Sequence, residues 1–459
     1  MPFTFAPPDP EAIVVSLFAP EQCSALAETL SGDQAKALDV LGFQPKPGRF
    51  CLLPPFGDAP AQAFFGLEKP EARSFDPFAA GRLVSLLPPG TYRFAPSSPG
   101  IEQAALAWAL ASYRFTRFKA STVELPRLCK PDGVDARSIE RAAAHVYFGR
   151  DLINTPANEL GPEALEKAAR SVATRSDAEF RVIGGPDLES GFPLIHAVGL
   201  AAHQPPRMVD FSWGADTDPK ITLVGKGVTF DTGGLNIKPD AGMLLMKKDM
   251  GGAATALALA GMIMEAGLKV RLRVLLPIVE NAISGPSFRP GDVIKSRKGL
   301  TVEIGNTDAE GRLILADALA LAGEEKPDLI VDFATLTGAA RVALGPDLPP
   351  FFTEDDDLAA ALVRHGRAVN DPVWPLPLWN AYDSMLDGKV ADVSNVGGSA
   401  FAGSITAALF LRRFVEPAQP WVHIDLFGWV PSTKPGRPEG GEVQTARMLF
   451  DYFATRYPA

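Results

Sequence analysis

Residues Asn306 to Arg312 read NTDAEGR, crowding two carboxylates, an amide and a guanidinium into one short stretch. Carboxylates this close repel unless a cation lies between them. Two further segments carry related chemistry. VGKGVTFDTGGLNIKPD holds Lys226, Asp231 and Lys238 in a glycine-broken loop, and MLLMKKDMGGAA holds Asp249 at the start of an expected helix. Asp308 and Glu310 are two residues apart, so an extended backbone would set them on one face. Four converging carboxylates could hold two divalent ions with a shared ligand. Ions ~3.5–4 Å apart clamp a water, lower its pKa and polarise a carbonyl or phosphoryl oxygen. The five histidines, His145, His196, His203, His365 and His423, all lie outside Lys220–Leu321. A metal there needs oxygen ligands, with at most an unusual nitrogen, a set that suits Mg, Mn and Ca and is accepted by Zn.

Each piece also has an ordinary reading. VGKGVTFDTGG can be a glycine turn after a strand, and it lacks the G-x-x-x-x-G-K-[ST] spacing of a phosphate cradle. NTDAEGR alternates Asn306, Asp308 and Glu310 like a calcium loop, but its twelfth position is Asp317 rather than Glu and no helix pattern leads in. Asp249 alone can be a helix N-cap. Lys226 and Lys238 alone can be solvated or ion-paired. The residues by themselves leave these readings open beside a two-metal hydrolase.

The surrounding text alternates strand and helix. KITLVGKGVTF contains a β-rich run, GGAATALALAGMIMEAGL a helix, KVRLRVLLPIV a strand, RLILADALALAGEE a helix and DLIVDFATL a strand. GSITAALFLRRFV then reads as a helix and WVHIDLFGWV as a strand. Such alternation predicts an α/β/α domain with a mixed, mainly parallel sheet, and ligands beyond the carboxyl ends of its strands. The polar clusters fall there. Upstream, Asp135 can cap a helix running from Ala136 to about Leu152, NTPANELGP is a loop, and Pro162 opens another helix. The chain is 459 residues long, too long for one ordinary core. We expect a smaller N-terminal α/β domain over 1–135 for packing or assembly, a linker helix over 136–152 and a catalytic domain over 153–459. AIVVSLFA reads as a buried strand of the first and QAALAWALASYRF as its helix.

A net charge of -10 argues against nucleic acid as the main partner, since phosphate binding wants clustered Lys and Arg. No basic leader precedes an apolar segment and no apolar run is long enough to cross a bilayer, so no membrane partner is expected. Cys23, Cys51 and Cys129 are odd in number and widely spaced, which reads as buried thiols in a reducing, cytoplasmic setting.

NTDAEGRL, Asn306 to Leu313, resembles the signature of the cytosolic leucyl aminopeptidase family. LINTPANELGP, VGKGVTFDTGGLNIKP, MKKDMGGAA, VEN, RPGDV, FATLTGAA and GSITAALFL follow that family in the same order, over roughly Arg150 to Gly428. The resemblance implies an exopeptidase with two divalent ions, Zn and/or Mn with Mg or Co able to exchange. Lys226, Asp231, Asp249, Asp308 and Glu310 would be the ligands, Asp231 and Glu310 touching both ions and Lys226 binding as a neutral amine. A bridging water would attack the carbonyl of a peptide with a free N-terminus. Lys238 would act as electrophile and Arg312 would hold a bicarbonate base. Met246, Asn306, Thr335, Leu336 and Gly338 match positions that line the substrate site. The family forms hexamers, so a homo-oligomer is implied. Where the family has DIAG, this chain reads DLFG, placing Phe427 at a small-residue position of the side-chain pocket, and STKPGRPEGGEVQTARML lacks the usual GATG. A dipeptidase or Cys-Gly hydrolase on the same site, a moonlighting DNA-binding regulator and a structural protein with a dead site are the alternatives.

Overall fold

A computed structural model describes residues 2–19, 30, 32–44, 46–55 and 59–459. The chain forms two compact units, one of Met1–Tyr147 with Ser432–Glu439 and one of Phe148–Pro431 with Gly440–Ala459. The fold is α/β in both, with mixed sheets.

In the first unit, β1 (Ile13–Phe18), β2 (Phe50–Leu53), β3 (Gln62–Gly66), β4 (Thr91–Phe94) and β5 (Arg127–Leu128) form a sheet in the order β2-β3-β1-β4-β5. Only β2 runs antiparallel to its neighbour. The helix Ile101–Ala111 lays Trp108 against this sheet, its ring centroid 5.9 Å from that of Phe94, inside a core that includes Val15, Leu17 and Phe65. The expected strand and helix of AIVVSLFA and QAALAWALASYRF are thus both present. Cys51 and Cys129 are buried free thiols, while Cys23 lies outside the described residues.

The second unit is built on nine strands. They are β6 (Glu179–Gly184), β7 (Arg207–Trp213), β8 (Lys220–Gly225), β9 (Gly227–Asp231), β10 (Arg271–Asn281), β13 (Leu329–Ala334), β14 (Pro350–Phe352), β15 (Trp374–Pro375) and β17 (Trp421–Asp425), with β11, β12 and β16 assigned below. Their order is β15-β14-β17-β13-β8-β10-β7-β6, with β9 pairing onto β10. The centre, β17-β13-β8-β10, is parallel; β7 and β14 turn against it, and β6, antiparallel to β7, runs with the centre again. Central parallel strands covered on both faces become apolar throughout, and every residue of β13 and β17 is buried.

Alternation divides the sheet's side chains between two helical layers. Val224, Leu275 and Ile330 join one core with Leu313, Leu315 and Leu319 of the helix Glu310–Glu324. The helix Gly251–Ala266 packs on β8, β10 and β13 as well as on the C-terminal helix Ala446–Arg456. Being enclosed, it is apolar all round. Glycine sets how close it comes: a Cβ on Gly252 would stand 2.1 Å from the Phe333 carbonyl oxygen and 2.8 Å from the Lys226 nitrogen.

A separate small sheet, β11 (Val293–Lys295), β12 (Thr301–Glu303) and β16 (Val393–Ser394), in the order β11-β12-β16, introduces the NTDAEGR segment. Its parallel β12–β16 pairing delivers Asn395 beside Gly305 and Asn306. Among the described residues no helix is long and apolar enough to cross a membrane.

Four local expectations change. KITLVGKGVTF is two strands broken at Lys226, whose amide still donates to Phe333 O of β13 while its carbonyl turns to accept from the Ala253 amide. WVHIDLFGWV ends as a core strand at Asp425, where the Asp425 carboxylate binds the amides of Leu336 and Thr337. Asp135 does cap the next helix, accepting from the Ser138 amide, but that helix runs to Asn154. Asp308 and Glu310 do not share the face of an extended strand: Asp308 lies in a turn and Glu310 opens a helix.

Candidate active site

Lys226 follows β8, Asp231 ends β9, Asn281 ends β10, Thr335 follows β13 and Phe427 follows β17. All sit at the carboxyl edge of parallel strands, where unpaired strand ends leave room for a ligand. Asp249 comes from a 3₁₀ turn, Met246–Met250, just before the Gly251–Ala266 helix. It caps no helix; its Oδ1 and backbone oxygen accept from Thr335 Oγ1 at 2.7 and 3.2 Å.

These elements bring the carboxylates together. Asp231, Asp308 and Glu310 each offer an oxygen within 4.8 Å of the other two. Two ammonium groups thread them. Lys226 Nζ lies 2.7 Å from Asp249 Oδ2, 3.0 Å from Glu310 Oε1 and 3.2 Å from Thr335 O. Lys238 Nζ lies 2.8 Å from Asp231 Oδ2 and 2.5 Å from Asp308 Oδ1. The acid oxygens and the lysine amine are a donor set that fits divalent Zn, Mn or Mg.

The site is buried and its groups are perturbed accordingly. Burial, then the charge of Asp231, pushes the Glu310 carboxyl up to about 8, and the same two causes push Asp308 up to about 6. Burial also raises Asp249. Burial disfavours the Lys226 cation, but Asp249, Glu310 and Asp231 outweigh it and hold the amine protonated. Lys238 is likewise driven upward by Asp231 and Asp308 against its own burial. With only these groups present, the acids keep both lysines protonated and paired to them.

Arg312 lies two residues into the helix opened by Glu310, and it makes no ion pair with either acid of its motif. Its Nη1 donates to Asn395 O at 2.8 Å, and its buried Nε has no partner among the described residues. Burial pulls the guanidinium down to about 10. Such a group is short of an anion.

Of the residues expected to meet substrate, Thr335 touches the cluster through Asp249 and Lys226, and the others lie on nearby segments. Met246 begins the 3₁₀ turn, Thr335 and Leu336 extend from β13, and Gly338 begins the helix Gly338–Leu344. Asn306 Oδ1 accepts from the Asp308 amide at 2.8 Å, shaping the turn rather than facing outward. Phe427 is half-buried at the end of β17.

Several contributors escaped the sequence reading. Asn395 Oδ1 accepts from the amides of Gly305 and Asn306 at 2.7 and 3.2 Å, and its Nδ2 donates to Asn306 O at 2.7 Å. Asn281 Nδ2 donates to Asp231 Oδ1 at 2.8 Å and Thr307 O at 3.1 Å; its place in VEN was the available signal. Gln444 Oε1 accepts from the amides of Phe427 and Gly428 at 3.2 and 3.1 Å, so the divergent C-terminal stretch reaches this wall of the site. Lys248, pushed down to about 8 by burial, lies beside the Phe427 ring.

Comparison with known proteins agrees along the chain. Residues 147–450 match the model of the cytosol aminopeptidase family catalytic domain, and residues 13–131 that of the M17 aminopeptidase N-terminal domain. A probable cytosol aminopeptidase of Syntrophotalea carbinolica is 40% identical over 391 residues, covering 81% of this chain and 78% of the relative. The crystal structure of a cytosol aminopeptidase from Coxiella burnetii superposes with a TM-score of 0.93 at 43% identity, over 98% of each chain. The bottromycin maturation enzyme BotP in complex with Mn superposes with a TM-score of 0.86 at 31% identity, over 97% of this chain and 99% of that one.

Proposed function

The chain belongs to the M17 cytosol aminopeptidase family and is a peptidase, and from that premise we propose a metal-dependent enzyme that releases N-terminal amino acids from peptides. The observation that carries the proposal is the convergence of Lys226, Asp231, Asp249, Asp308 and Glu310 in one buried cluster. These five residues would hold a pair of divalent ions, Zn and/or Mn, with Mg or Co as substitutes. Mn is what the BotP complex contains. Bound there, the ions supply Lewis acidity and an acidified water.

The chain's own groups do the rest. Lys238, anchored between Asp231 and Asp308, places a cation where the scissile carbonyl oxygen gains charge. Lys226 would serve as a neutral-amine ligand, its proton released to solvent when divalent ions neutralise the acids that now stabilise it. Arg312, with its unpartnered buried Nε, would hold the bicarbonate that serves as base. Met246, Thr335, Leu336, Gly338 and Phe427 receive the N-terminal residue, and Asn306 keeps the acid-bearing turn in place. The N-terminal unit serves packing or assembly, the working form is a homo-oligomer (a hexamer, as in the family), and the setting is the cytoplasm.

The test strips the protein with chelator, restores Mn or Zn singly and assays a panel of aminoacyl-nitroanilides. Hydrolysis that returns with metal and requires a free α-amine is the expected result. Equal hydrolysis of N-acetylated substrates, or no hydrolysis with any metal, overturns the proposal.

A further inference from the structure

Two cations face the Phe427 ring. Lys248 Nζ is 4.8 Å from its centroid and the Arg341 guanidinium carbon is 5.6 Å away. They differ in what else they touch. Arg341 is neutralised, its Nη2 donating to Asp425 Oδ1 at 2.9 Å and its Nη1 to Asp425 O at 3.1 Å. Asp425 is itself fully engaged by Leu336, Thr337 and Arg341. Lys248 is only 5% exposed, yet its ammonium finds no hydrogen-bond acceptor and no carboxylate partner among the described residues.

Burying an ammonium without an acceptor is costly, and an aromatic face returns only part of that cost. The Lys248 backbone also borders residues expected to meet substrate. A Cβ placed on Gly428 would lie 3.2 Å from Thr335 Cγ2 and 3.8 Å from the Lys248 carbonyl oxygen, so Lys248, Thr335 and the Phe427–Gly428 turn adjoin. Met246 is two residues before Lys248 in the same turn.

We propose that Lys248 makes this peptidase selective for peptides whose N-terminal residue carries a carboxylate, glutamate or aspartate, the substrate supplying the acceptor that the buried ammonium lacks. Phe427 takes up the volume that a branched aliphatic side chain would need, and its ring holds the cation in place. N-terminal lysine and arginine meet a like charge and are rejected. The inference rests on the aminopeptidase reading above.

The test uses the metal-loaded enzyme and compares kcat/KM for Glu-, Gln-, Leu- and Lys-nitroanilides at neutral pH. Glu and Gln are nearly isosteric, so their ratio isolates the charge. The wild type is expected to favour Glu over Gln about 10- to 100-fold, the worth of a hydrogen bond to a charged group. Lys248→Met should bring that ratio to about one, and Lys248→Arg should keep it above one. Because each ratio is taken within one enzyme, differences in folding or metal loading cancel. A wild type that hydrolyses Leu or Gln substrates as well as Glu overturns the inference while leaving the aminopeptidase reading intact, and needs no variant. A Glu preference that survives Lys248→Met also overturns it. Failure on every substrate removes the aminopeptidase reading, and this inference with it.

Discussion

Gly311 makes room for the Lys226 ammonium: a Cβ at Gly311 would lie 2.6 Å from Nζ and 2.5 Å from Cε of that lysine. The glycine of NTDAEGR is therefore a spatial requirement of a side chain eighty-five residues upstream by the printed numbering. Gly311→Ala forces Lys226 away from Asp249 and Glu310 while favouring the helix by up to about 1 kcal/mol. Loss of these buried ion pairs outweighs that gain, so thermal stability should fall, and metal affinity and kcat/KM should fall on the order of tenfold or more. Calorimetric metal titration beside a melting curve checks this; unchanged metal affinity refutes it.

Asn395 clamps the acid-bearing turn from outside the motif. Asn395→Ala unpairs the amides of Gly305 and Asn306 and removes the donor to Asn306 O. These amides are only partly buried, so each costs less than the roughly 1–3 kcal/mol of a fully buried unpaired group. Activity should fall along with stability, and the metal that Asp308 helps to hold should exchange faster. A variant with wild-type melting and wild-type metal retention contradicts the clamp.

These two cases show what the sequence reveals and what it hides. The alternation of strands and helices was readable because the parallel core is buried and mostly apolar, as in LIVDFA and WVHID, whose polar residues Asp332, His423 and Asp425 are paired. The acids and lysines were readable because charged residues beside glycines after strands have few structural reasons to exist. Asn395 was hidden because its role depends on a short parallel pairing, β12 with β16, that joins segments about ninety residues apart by number. The helical start at Glu310 was hidden because two acids two residues apart fit an extended run equally well. Lys248 was hidden beside Lys247 in KKD, where pattern alone cannot separate the buried lysine from its half-buried neighbour.

Phe427 and Gln444 should act as one unit. Phe427→Ala is expected to change the preference among N-terminal side chains more than it changes turnover on the best substrate. Gln444→Met removes the acceptor for the Phe427 and Gly428 amides and the donor to Pro346 O. It should shift the same preference, and the shift should vanish in a Phe427→Ala background. Measured kcat/KM across a substrate panel decides it: equal losses on every substrate, or additive effects of the two changes, argue against this coupling.

Asp317 gives the catalytic unit a pH-dependent stability. Burial pushes its carboxyl up to about 7 despite hydrogen bonds from the amides of Arg297, Leu194 and Ile195. A folded pKa above the unfolded value of about 3.9 means the native state binds the extra proton. Stability then falls as pH rises between about 4 and 7 and levels off above, by up to about 4 kcal/mol. Asp317→Asn should remove that slope. Denaturation midpoints taken across the window test this, and parallel pH profiles for variant and wild type would count against it.

The central claim is that the buried acids and Lys226 exist to hold divalent ions for peptide-bond hydrolysis. The most direct measurement is metal content per chain, taken with activity on the same preparation, for wild type and Asp308→Ala. The account predicts two ions and hydrolysis for wild type, and for Asp308→Ala a lost ion with activity down on the order of 100-fold or more. A metal-free wild type that hydrolyses peptides, or an Asp308→Ala variant with full metal content and full activity, would contradict it.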